Sequence, residues 1–163
     1  LGHRSVRTLL NNILRGADLI AIIVDLSVEP ISQVEAALQG LAEAKIEPLL
    51  NNKEETPGSY PRKMLIVGNK NDLESSSGNW RKLNSQYEKL FPVISISAKE
   101  VDGLEELRKL VFQSLEIIRV YTKTPGAKAD LTDPVILKKG SIVEDAAESI
   151  HKDFKSKSKY AVV

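Results

Sequence analysis

The stretch LIVGNKNDLESS, residues 65–76, decides the fold. An apolar run ends at Val67. Gly68 follows, and then come the polar residues Asn69, Lys70, Asn71 and Asp72. Asn and Asp are favoured where a strand stops and a helix starts, so a capped turn accounts for the change. A loop that recognises a nucleotide base accounts for it equally, and the surrounding sequence decides between the two.

Working outward, helical and extended patterns alternate. RSVRTLLNNILR, residues 4–15, places Val6, Leu9, Leu10, Ile13 and Leu14 on one oily helical face. DLIAIIVD, residues 18–25, is a short continuous apolar run, which predicts a strand buried on both faces. PISQVEAALQGLAEA, residues 30–44, opens on a proline and carries Ile31, Val34, Ala37, Leu38 and Leu41 on one side. KMLIVGNKND gives the second buried strand, and NWRKLNSQYEKLF, residues 79–91, a helix ended by Pro92, with Trp80 as its cap. VISIS, residues 93–97, is a third strand. The last helix of the series is DGLEELRKLVFQSLEII, with Leu104, Leu107, Leu110, Val111 and Leu115 facing inward. Strand and helix in alternation predict a parallel sheet with crossover helices. Residues 46–62 hold the polar NNKEETPGSYP and read as a surface loop.

In an open parallel sheet, ligands bind beyond the carboxyl ends of the strands. Asn69 to Asp72 lies at such an end, and so does SAKE, residues 97–100. Guanine offers two adjacent donors, a ring N–H and an exocyclic amine. A carboxylate such as Asp72 accepts both as a charge-assisted pair. Adenine has an acceptor at the ring position and is repelled. Asn69 ties the loop to its neighbours, the Lys70 stem lies flat over the ring, and the backbone N–H of Ala98 donates to the guanine oxygen. Small Ser97 and Ala98 permit that approach. Asp25, at the end of the first strand, reads as a turn cap in preference to a metal ligand.

After Leu115 the rhythm stops. IIRVYTKTPG alternates like a half-exposed strand, and DPVILKKGS is a second strand with a turn. SIVEDAAESIHKDF is a helix with Ser141 and Glu144 as a capping box, packing Val143, Ala146, Ala147 and Ile150 inward. KYAVV begins another strand. Residues 117–163 carry nine Lys/Arg against six Asp/Glu, and residues 1–116 carry 14 against 16, so a boundary near 116/117 separates two domains.

Composition excludes several classes. The 163 residues hold 23 basic and 22 acidic side chains, so no global charge argues for nucleic acid or membrane. There is no cysteine, and His3 and His151 are the only histidines, which rules out thiolate or histidine-rich metal sites. The longest apolar run, Leu19 to Val24, is too short for a bilayer. With no signal peptide visible, the expected location is the cytoplasm. The chain starts on Leu1 and stops in an unfinished strand, and so reads as a piece of a longer protein.

NKND and SAKE resemble the two base-specificity boxes of the P-loop GTPases. LGHRSV, residues 1–6, is similar to the segment after the second switch in the Obg family. Residues 117–163 resemble the TGS domain of its developmentally regulated GTP-binding branch, through the order of IIRVYTKTPG, DPVILKKGS, SIVEDAAESIHKDF and KYAVV. The resemblance implies a partial Rossmann-like α/β GTPase domain, residues 1–116, followed by a truncated ubiquitin-like β-grasp module, residues 117–163. It implies GTP/GDP as ligand, bound by Asn69, Lys70, Asp72, Ser97, Ala98 and Lys99. It also implies a ribosome, RNA or regulatory protein as partner of the module, with Lys152, Lys155, Lys157 and Lys159 facing any RNA. No G-x-x-x-x-G-K-[ST] cradle and no D-x-x-G switch box is present. Catalytic residues are therefore not carried over, and Mg²⁺ is expected only in the full-length protein. The competing reading is a non-catalytic RNA- or protein-interaction module with a G-domain remnant.

Overall fold

A computed structural model describes residues 2–50, 56–123, 128 and 131–150, with side chains from Val6 onward. The chain forms two compact units, Leu1–Leu115 and Glu116–Val163.

The first unit runs α1 (Gly2–Gly16), β1 (Leu19–Asp25), α2 (Pro30–Glu43), β2 (Ile46–Pro48), β3 (Tyr60–Asn69), α3 (Ser76–Tyr87), β4 (Val93–Ser95) and α4 (Leu104–Leu115). β3 is the hub. It pairs in parallel with β1 from Leu19↔Lys63 to Asp25↔Asn69, with β4 from Ile66↔Val93 to Gly68↔Ser95, and with β2 at Ile46↔Tyr60. The parallel register brings Asp25, Asn69 and Ser95 out together at one sheet edge.

Two layers of helix cover β3. On one face Ile20, Ile22, Val24, Met64 and Ile66 pack with Val34 and Leu41 of α2 and Leu83 and Tyr87 of α3. On the other, Leu65, Val67 and Ile96 lie under Leu104, Leu107 and Val111 of α4. Each fully buried side chain of this kind contributes about 1.5–3 kcal/mol. α2 starts where the sequence places it. Pro30 occupies its first turn, and the Glu29 carboxylate accepts the Ile31 and Ser32 N–H groups at 3.1 and 2.7 Å. The Ser32 N–H is the main reason that this carboxyl sits below its ordinary range.

Several local expectations are corrected. β1 is not buried on both faces: its residues alternate, and Ile23 is 66% exposed. The cause is position, since Leu104, Leu107 and Val111 of α4 pack on Leu65, Val67 and Ile96. Val6, Leu9, Leu10 and Ile13 of α1 are likewise exposed, and only Leu14 joins the core. The stretch from residue 46 to 62 is not all loop. Ile46 is buried and β2 extends the sheet along β3, where prolines at 48 and 61 disguise the strand pattern. Trp80 does not cap α3, which begins at Ser76; it packs partly buried against the core.

In the second unit β5 (Ile117–Val120) pairs antiparallel with β6 (Val135–Lys138), and α5 (Val143–Ile150) follows. The cap is shifted by one residue from the expected box: Asp145 Oδ2, rather than Glu144, reaches back to the Ile142 N–H at 2.9 Å. Val143 and Ile150 are exposed, whereas Ala146 and Ala147 are half-buried. His151, the lysines from 152 to 159 and the strand expected near Tyr160 lie outside the described residues.

Candidate base-recognition site

The end of β3 sets the geometry. Gly68 is needed by packing, because a Cβ there would meet both δ carbons of fully buried Leu26 at 2.9 Å. Asn69 is the last residue of the strand. Its Oδ1 accepts two backbone N–H groups, from Lys70 at 2.8 Å and from Ala98 at 3.0 Å. One side chain thus staples the NKND loop to the SAKE loop. Lys70 adopts φ 68, a left-handed conformation that costs a non-glycine residue about 1–2 kcal/mol. The bond from its N–H to Asn69 helps to hold it there.

Asn71 adds a second tie. Its N–H donates to the Ile96 carbonyl at 3.0 Å, and its side-chain amide donates to Asp102 Oδ2 at 2.8 Å. Asp102 and Ser97 exchange both backbone bonds, at 3.1 and 3.0 Å, which closes SAKEVD into a tight loop. Ser97 is fully buried. Its hydroxyl accepts the Glu100 N–H at 3.0 Å and lies on the side of the Asp72 carboxylate, favouring its charged form.

Asp72 is itself exposed. The Ser97 hydroxyl holds its pKa below the ordinary carboxylate range; its own N–H and the charges of Lys99 and Lys70 add to this, against some desolvation. A carboxylate so held stays ionised at mildly acidic pH. Affinity for any base whose donors Asp72 accepts is therefore expected to stay flat from about pH 7 to about pH 5. Loss should begin only as pH falls through the depressed value, where the protonated acid no longer accepts both donors. Titration at stepped pH checks this, and a decline already above about pH 5 would contradict it.

Of the six residues singled out from sequence, five converge. Asn69, Lys70 and Asp72 stand on one loop and Ser97 and Ala98 on the other, joined by the bonds just described. The Ala98 N–H donates to Asn69, so a base oxygen would share it as the second acceptor of a three-centre bond. Lys99 differs. Its side chain is exposed and pairs with Glu100 at 3.0 Å. Asp25 caps its turn as expected, accepting the Ser27 N–H at 2.8 Å and the Ser27 hydroxyl at 2.6 Å, and also meets Lys70 Nζ at 2.5 Å. Asn71 and Asp102 escaped the sequence reading. The one signal available was Asp102-Gly103, a turn dipeptide directly after SAKE.

In an open parallel α/β sheet ligands bind beyond the carboxyl ends of the strands, and the two polar loops stand at such an edge. Residues 118–163 match the TGS domain family, and the chain carries this domain after its parallel sheet. Over its C-terminal region the chain is homologous to GTP-binding proteins of the developmentally regulated type. It is 34% identical over 70 residues to an uncharacterized GTP-binding protein of Methanocaldococcus jannaschii, covering 43% of this chain and 18% of that protein. It is 38% identical over 61 residues to the developmentally-regulated GTP-binding protein 2 of Homo sapiens and to its Dictyostelium discoideum homolog, covering 37% of this chain and 17% of each relative. The matched region spans less than a fifth of these relatives.

Proposed function

We propose that the first unit is the guanine-recognising half of an Obg-type GTPase of the developmentally regulated branch, and that the TGS domain docks it to a macromolecule. The observation that carries the reading is the Asn69 side chain, which joins the NKND and SAKE loops, with Asp72 braced by buried Ser97. The names of the relatives point the same way. In this reading Asp72 accepts the two guanine donors, the Lys70 stem covers one ring face, and the Ala98 N–H is shared with the base oxygen. Lys99 contributes backbone and local charge.

The chain as it stands supplies base recognition without hydrolysis. Among the described residues no group of three or more His, Asp or Glu side chains could hold a metal ion. We assign Mg²⁺ and the γ-phosphate chemistry to the intact protein, since this sequence holds neither the phosphate cradle nor the switch box. No helix among the described residues is long and apolar enough to cross a membrane. We place the intact protein in the cytoplasm and take the partner of its TGS domain to be a ribosome, an RNA or a regulatory protein.

The test is an NMR titration of the chain with guanosine and with adenosine at millimolar concentration. Guanosine should shift the backbone signals of Asn69–Asp72 and Ser97–Lys99, and adenosine should leave them still. Equal shifts with both nucleosides, or none with either, would overturn the assignment.

A further inference from the structure

Lys70 is held at both ends. Its backbone N–H donates to Asn69 Oδ1 at 2.8 Å, and its Nζ donates to Asp25 Oδ2 at 2.5 Å. Between those points the four-carbon stem is drawn from the end of β3 toward the end of β1, across the register pair Asp25↔Asn69.

Asp25 is unusually well fixed for a residue at a strand exit. Its Oδ1 takes the Ser27 N–H and hydroxyl, leaving Oδ2 for the lysine. Its backbone is held too. The Gln33 side chain accepts the Asp25 N–H at 2.9 Å, donates to the Asp25 carbonyl at 2.9 Å, and donates to the Glu29 carbonyl at 3.0 Å. α2, which carries Gln33, therefore sets the position of the carboxylate.

The pair is half in solvent, with the side chains of Lys70 and Asp25 49% and 30% exposed. An exposed ion pair contributes little to stability, because its charges are screened and its side chains lose freedom. Its more consequential effect is on the stem. An untethered lysine samples many rotamers and must be ordered when a ring stacks on it. A tethered one presents its methylenes in place beforehand, which lowers the ordering cost of binding.

We propose that Asp25 is the positioning residue of the base site: through Lys70 it pre-orients the methylene surface on which the purine ring stacks. The inference rests on the guanine reading above. Asp25 touches no base itself, and it acts through the lysine.

The test is a double-mutant cycle on GDP affinity of the chain, with Asp25→Asn, Lys70→Met and the double variant, each checked by thermal melting. Asp25→Asn should weaken GDP roughly three- to tenfold, the range of coupled contacting pairs. It should have no further effect once Lys70 is Met. Asp25→Glu should recover part of the loss. Ser27→Ala removes the hydroxyl cap bond but keeps the backbone N–H bond and the lysine contact, and should bind GDP as the wild type does. Additive losses in the cycle, or a Ser27→Ala loss equal to that of Asp25→Asn, would show a merely structural carboxylate and overturn the proposal. Wild-type protein that fails to prefer GDP over ADP would instead overturn the guanine reading, and this inference with it.

Discussion

Asp72→Asn is expected to exchange guanine for xanthine as the preferred base. Guanine presents a ring N–H beside an amine, and a carboxylate accepts from both. An asparagine amide has one acceptor and one donor. It can still take the ring N–H, but its NH₂ then opposes the guanine amine. Xanthine has an oxygen where guanine has that amine, so the amide matches it. Guanosine affinity should fall roughly ten- to a hundredfold, the scale of a lost hydrogen bond to a charged group, and xanthosine should gain a comparable amount. The loop should survive the change, because the asparagine oxygen can still accept from the Ser97 hydroxyl that braces Asp72. The variant should therefore melt within a few degrees of the wild type. Parallel titrations with the two nucleosides decide the matter. A uniform loss for both bases would mean that Asp72 only supports the loop.

The sheet was legible because its central strand is buried on both faces and so reads as an unbroken apolar run, Met64 to Val67. β1 looks the same on paper, LIAIIV, but lies half-covered. Composition does not distinguish an apolar strand that is covered from one that is only coverable. β2 went unseen for the opposite reason. Three residues, one of them proline, give no periodicity, and only pairing with β3 makes them a strand. At the candidate site, NKND and SAKE marked the two loops that the structure joins at one sheet edge. The residues behind them were not legible. Asp25, Gln33, Asn71 and Asp102 act through bonds to residues up to 45 positions away, and no local pattern announces such a bond. The Asp25–Lys70 contact illustrates this. Sequence rightly makes Asp25 a turn cap, through Ser27, but its second oxygen finds its partner only when β1 and β3 align in register.

Gly103→Ala should damage both the fold and the site. Gly103 sits at φ +72, where a side chain is strained on its own account. An added Cβ would also lie 2.7 Å from the Ser95 carbonyl oxygen and 3.1 Å from Ile96 Cγ2. Ser95 belongs to β4, so that oxygen cannot swing aside as the tip of a flexible side chain would. Relief requires Asp102–Gly103 to move off the strand. Asp102 exchanges backbone bonds with Ser97 and accepts from Asn71, so the movement would loosen the brace behind Asp72. The Leu107 N–H bond to the Gly103 carbonyl, 3.0 Å, would carry the shift into the first turn of α4. Destabilisation of about 2–4 kcal/mol is expected, combining the left-handed penalty with the displaced contacts. Gly58 is the control. It has φ +79, but a Cβ added there would meet nothing within 4 Å, so Gly58→Ala isolates the backbone penalty of about 1 kcal/mol. Urea unfolding of both variants separates the two contributions: the Gly103→Ala midpoint should fall further at an unchanged slope. Guanosine affinity should drop for Gly103→Ala and hold for Gly58→Ala. Equal midpoints for the two variants would mean that the SAKEVD loop has slack, and that the Ser97–Asp102 closure is not what holds Asp72 in place.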